Sequence, residues 1–173
     1  MNAAFRRHVV GFGACVALLQ GCAPSHIASS SATMLATPSS DTRSFIVRLK
    51  PGQDVKTELE ALANANHLQA ASIVSVVGSL TNVALRYANQ PTTTRLQGHF
   101  EVVAMSGYLA DGEFHCHLAV SDGEGKTLGG HLMDGNVVYT TLVVVIQEHL
   151  QLRYQREFDP KSNYAELVIA PRR

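Results

Sequence analysis

The sequence predicts an α/β (α+β) domain in which one main helix packs on a largely antiparallel sheet of seven or more strands. Three observations support this. Only the segment from Val55 to Ala63 repeats its apolar residues at helical spacing. Most of the chain beyond Ser44 instead alternates apolar with polar residues or runs in short β-branched stretches. Gly, Pro, Asn and Asp gather between those stretches, which marks turns joining successive strands.

Residues 44–50 place Phe45, Val47 and Leu49 on one face and Ser44, Ile46, Arg48 and Lys50 on the other, a first strand. Pro51-Gly52 turns the chain, and Asp54 stands where it can cap a helix. Val55, Leu59, Leu62 and Ala63 form one buried stripe of that helix, which ends near Asn66-His67. Residues 71–77 read as a buried strand closed by Gly78-Ser79, and residues 81–88 as a second strand. A polar loop over 89–95 leads to strands at 100–109, 114–121 and 126–132. Residues 137–147 are apolar and β-branched through Val143, Val144, Val145 and Ile146, as in a central strand. Leu150, Leu152 and Tyr154 alternate with polar residues in an edge-like strand, and residues 164–169 close the sheet.

The chain has 173 residues, enough for one domain and a tail. It is 46% apolar and 16% charged, which excludes a disordered chain. Fourteen basic residues balance 14 acidic ones, so nothing in the composition draws it to polyanions. Three Cys are too few for a disulfide scaffold.

The expected organisation is a leader over 1–21, a linker over 22–43 and a domain over 44–171. Arg6 and Arg7 precede a short apolar stretch from Val9 to Leu19, as in a secretion signal. Leu19-Gln20-Gly21-Cys22 resembles the lipobox of bacterial lipoproteins, which implies cleavage before Cys22 and its lipidation. A conventional signal in which Cys22 is incidental is the alternative. Ala23 after the Cys implies sorting to the outer membrane, with the domain lipid-anchored in the cell envelope and facing the periplasm. Loss of Arg6 and Arg7 with the leader turns 14 basic residues into 12 against 14 acidic, a net charge of −2. The 22–43 stretch, rich in Ser, Ala, Thr and Pro, reads as a flexible tether.

The chemical signal lies in the histidines. His115 and His117 are two apart on an expected strand, so they share a face roughly 6.5–7 Å apart. Cys116 then points the other way and behaves as a small hydrophobe. The turn-rich stretch from Ser121 to Lys126 suggests a hairpin centred on Glu124, which sets His117 opposite His131 because 117 + 131 is twice 124. Gly129-Gly130 before His131 leaves space beside it. Three imidazoles on one face suit an open divalent-metal site, zinc foremost, with the metal's identity not set by the ligands alone. The same pattern also suits solvated histidines on a polar sheet face, and a register slip of one residue would break the cluster. His26, His67, His99 and His149 fall outside it. Glu113 and Asp134 are the nearest carboxylates in sequence that could serve as a base. No nucleophile elbow, P-loop or dinucleotide fingerprint is present, and catalytic residues are not assigned.

Several pieces together resemble the plants and prokaryotes conserved (PPC) domain. They are Leu49-Lys50-Pro51-Gly52, Gly78-Ser79-Leu80 with Leu85-Arg86-Tyr87, and His115-x-His117 with Gly129-Gly130-His131-Leu132. The resemblance covers residues 44 to about 169. It implies a compact subunit assembling as a homotrimer, with His115, His117 and His131 as metal ligands in members of the prokaryotic type. Plant members carry an AT-hook that binds DNA; this sequence has no Arg-Gly-Arg-Pro hook or basic arm, which argues against nucleic acid as a partner. Whether such a subunit is an enzyme on a small substrate or a non-catalytic oligomeric binding module is not settled by the resemblance.

Overall fold

The computed structural model describes residues 38–173. The expected leader, Cys22, His26 and most of the tether lie outside the described residues. The elements run β1 (Thr42–Leu49), α1 (Val55–Ala65), β2 (Ala71–Arg86), β3 (Thr94–Ala110), β4 (Glu113–Ser121), β5 (Thr127–Leu132), β6 (Val137–His149), β7 (Leu152–Asp159) and β8 (Tyr164–Pro171). No helix among them is long and apolar enough to cross a membrane.

Among the described residues the fold is mainly β, with a single helix of 11 residues, and this corrects the expected α/β class. Nor is there one sheet of seven or more strands. Six strands form an antiparallel sheet in the order β1-β6-β2-β3-β4-β5, and β7 and β8 pair only with each other. The polar and apolar alternation of β7 and β8 marks them as strands but carries no information about which neighbour they choose. Leu85 and Arg86 at the end of β2 also pair with Leu132 and His131 of β5. Strands β2, β3, β4 and β5 therefore close on themselves into a small barrel.

The strands expected at 71–77 and 81–88 are one continuous strand, β2. Gly78 reads as a stop in sequence, yet it lies inside the strand at φ +145°. A Cβ there would stand 2.1 Å from the Thr141 carbonyl oxygen, so glycine is what lets β6 approach this closely. The polar loop ends earlier than expected, because β3 already begins at Thr94, and β1 begins at Thr42, ahead of Ser44.

Asp54 caps α1. The Thr57 N–H donates to its Oδ1 at 3.0 Å, and the Gly135 N–H donates to its Oδ2 at 2.8 Å. The capping carboxylate thus ties the helix to the chain before β6. Val55, Leu59 and Ala63 of the helix are fully buried in the same core cluster as Leu68, Leu80, Leu109, Leu142 and Ile146. Each such aliphatic side chain contributes roughly 1.5–3 kcal/mol of transfer free energy. Asn136, also fully buried, replaces a missing strand neighbour: its Oδ1 accepts from the Ala84 N–H at 2.9 Å and its Nδ2 donates to the Ala84 carbonyl at 3.0 Å. That side chain holds the β5–β6 connection against β2.

Candidate metal centre

The site begins with a turn. Asp122 Oδ1 accepts from the backbone N–H groups of Glu124 and Lys126 at 3.0 and 2.9 Å, and Gly125 takes φ +81°. This centres the β4–β5 hairpin on Glu124, and His117 stands directly opposite His131. His115, two residues back on β4, shares their face. Ring centroids are 5.3 Å apart for His115 and His117, 4.9 Å for His115 and His131, and 5.6 Å for His117 and His131. One nitrogen from each ring lies within 4.8 Å of the other two. Nitrogens on one tetrahedral zinc stand about 3.3 Å apart, given bonds of roughly 2.0–2.1 Å. The donor types fit, and the rings must bring their nitrogens closer together to close on an ion.

Electrostatics favour the ligand form of His115 and His131. Burial, then the neighbouring His115 and Arg86, push the His131 imidazole down to about 4. Burial and then His117 lower His115 as well, with Arg156 acting in the same sense and Glu166 opposing. Neutral imidazole carries the lone pair that a metal needs. A consequence can be measured on chelator-treated protein. An unfolded imidazole titrates near ~6.5, so as pH falls the unfolded chain binds protons before folded His131 does. Stability is therefore expected to be intact above ~6.5 and to fall as the pH drops through about 4. Denaturant midpoints taken in steps from pH 7 to pH 4 check this, and a flat profile contradicts it.

Cys116 points into the barrel, fully buried, and burial drives its thiol up to about 12, so it is no ligand. The structure keeps His67, His99 and His149 away from the cluster. His67 follows the helix, His99 packs on Tyr139 at 4.3 Å, and His149 Nε2 lies 3.0 Å from Ser72 Oγ. Neither carboxylate singled out in sequence joins the rings. Asp134 pairs with Lys56 at 3.0 Å, and Glu113 sits at the start of β4 opposite Ala110. The carboxylate whose field reaches His115 is instead Glu166, on β8. Tyr108 is a second neighbour missed in sequence. It lies opposite His115 on β3, with rings 5.5 Å apart, and burial raises its phenol. Tyr108 reaches the site across the short β3–β4 hairpin, whose Asp111-Gly112 turn is the signal that could have found it. No local pattern points to Glu166, which lies on β8.

A mainly β barrel with three imidazoles on one hairpin face defines the class of protein. The family model of the Plants and Prokaryotes Conserved (PCC, also written PPC) domain matches residues 36–150, and the chain belongs to that family. The match stops before β7 and β8. A hypothetical protein from Salmonella cholerae-suis of known structure is 47% identical, with a TM-score of 0.77 over 78% of this chain and 98% of that one. The bifunctional protein GlmU of Synechococcus sp. (strain JA-3-3Ab) is 43% identical over 132 residues, 76% of this chain and 21% of that protein. This chain therefore spans about a fifth of the length of that curated relative. The AT-hook motif nuclear-localized protein 13 of Arabidopsis thaliana is 32% identical over 112 residues, 58% of this chain and 25% of that protein.

Proposed function

We propose that this chain is a metal-binding member of its family, holding one divalent cation, zinc by donor type, on His115, His117 and His131. The convergence of three imidazole nitrogens within 4.8 Å carries the reading. A three-nitrogen zinc site keeps a further coordination position for a ligand and acts on it as a Lewis acid. Burial favours the neutral form of His115 and His131, and the hairpin orients all three rings. Gly129 and Gly130 add no side chain beside them, which leaves room for a small substrate. In the same proposal the domain is tethered through a lipid on Cys22 to the outer membrane and faces the periplasm.

Elemental analysis of purified protein tests the site. Wild type is expected to hold one zinc per chain, and His115→Ala with His131→Ala is expected to hold none. Unchanged metal in the double variant would falsify the assignment.

A second reading, a non-catalytic oligomeric binding module, is favoured by the outer sheet face. Ile46 pairs with Val145 and Val143 with Val77 there, leaving Ile46 75% and Val77 65% exposed. An apolar patch of this kind fits burial against further copies in a homotrimer. A metal-free wild type that still runs as a trimer by native mass supports this second reading over the first.

A further inference from the structure

Arg86 is the last residue of β2 and stands directly opposite His131, which stands directly opposite His117. Residues in such a cross-strand row share one face, with neighbouring Cβ atoms roughly 4.5–5.5 Å apart. The guanidinium therefore belongs to the same surface as the three imidazoles. Its field is felt at both His115 and His131. Unlike Lys56, which pairs with Asp134 and Glu60, Arg86 makes no side-chain hydrogen bond or ion pair with a described residue. It is half-buried.

The surroundings leave room for a ligand. Arg86 lines a cavity of 310 Å³ with His117, His131, Gly129 and Gly130. It also lines an adjoining cavity of 400 Å³ with Asn89, Gln90, Pro91 and Tyr164. A Cβ on Gly130 would stand 2.8 Å from the Arg86 carbonyl oxygen, so glycine there lets β5 lie close to Arg86. Charge completes the argument. Neutral imidazoles cancel none of a divalent cation's charge, and a guanidinium one strand away adds to it. An oxyanion spanning the two positions neutralises both, and the planar fork of arginine matches carboxylate or phosphate oxygens.

We infer that Arg86 is the anion-recognition residue of this site, so that its ligand is a small molecule bearing a carboxylate or phosphate group. This rests on the three-histidine reading, with the oxyanion reaching between Arg86 and the His117–His131 pair. The body of the ligand extends towards Asn89, Gln90 and Tyr164.

Calorimetric titration of inorganic phosphate and, separately, of acetate into zinc-loaded protein tests the inference, with metal content measured on every sample. Wild type is expected to bind at least one of the two. Arg86→Gln is expected to weaken that binding on the order of tenfold or more while keeping its zinc. Arg86→Lys, which retains charge but not the fork, is expected to fall between. It also serves as the working variant should Arg86→Gln fail to fold. Wild-type affinity in both zinc-loaded variants overturns the inference, as does a zinc-loaded wild type that binds neither anion at millimolar concentration. A wild type that takes up no zinc sinks the metal reading instead. Phosphate titration of that metal-free protein then decides Arg86 separately: loss of binding in Arg86→Gln supports an oxyanion site there, and no difference removes it.

Discussion

Gly107→Ala is expected to destabilise the domain by roughly 2–5 kcal/mol and to weaken the proposed zinc binding by roughly 10–100-fold. Gly107 lies in β3 opposite Cys116, between the two proposed ligands of β4. Its φ is +143°, a region that side chains with a Cβ rarely adopt. A Cβ there would stand 2.1 Å from the His115 carbonyl oxygen, 2.6 Å from Cys116 Cα and 2.9 Å from Cys116 Sγ. The first two are backbone atoms and cannot rotate away. Strands β3 and β4 must separate, and the point of separation carries His115 and His117 with it. Gly112→Ala is the control. Gly112 also has a positive φ, +76°, but a Cβ on it meets nothing within 4 Å. Its cost is expected to be the backbone strain alone, about 1–2 kcal/mol, with zinc affinity unchanged. Denaturant melts and zinc titrations of both variants check this, and equal behaviour of the two would contradict the steric argument.

Removing Arg43 and Arg172 together is expected to cost ~3–5 kcal/mol, far more than removing the carboxylate they share. Glu148 is fully buried at the end of β6. Arg43 of β1 donates to its Oε2 through Nη2 at 2.7 Å and Nε at 3.1 Å, and Arg172, just past β8, donates to its Oε1 at 3.0 Å. Alanine at both arginine positions leaves a carboxylate in the interior with no cation. Glu148→Leu leaves two guanidinium groups that are 54% and 31% exposed and can turn to water. Its expected cost is below ~2 kcal/mol, because an apolar side chain replaces a buried ion. Adding Glu148→Leu to the double arginine variant should restore most of the loss, since the unpaired charge is then gone. Chemical denaturation of the three variants at neutral pH decides the matter. A Glu148→Leu cost equal to that of the arginine pair would mean that the clamp acts by attraction rather than by preventing an isolated charge. The same clamp joins β1 to the chain after β8, which lies beyond the part matched to the family.

Much of the site is legible in the residues because it is local. The spacing of His115 and His117 follows from the pleat of one strand. The pairing of His117 with His131 follows from a five-residue turn whose centre Asp122 and Gly125 pin. The helix is legible for the same reason: cap, stripe and stop all lie within a dozen residues. Arg86 and Glu166 were not singled out as site residues, since each arrives on a strand distant in sequence, whereas Tyr108 faces His115 across the local β3–β4 hairpin and could have been placed from its turn. Gly78 was misread because a glycine that ends a strand and a glycine that admits a neighbouring backbone are the same letter.

Taken alone, the order of residues marked most of the extended stretches and the one helical stretch, and suggested a hairpin register that sets three histidines on one face. These follow from periods of two and 3.6 residues and from turn chemistry, all of which act over short distances along the chain. Only the tertiary structure decided that β7 and β8 stand apart from the main sheet, that β5 returns to β2, and that an arginine joins the imidazole row. Edge choice between strands depends on how whole faces pack, and alternation within a single strand is the same whichever partner it meets.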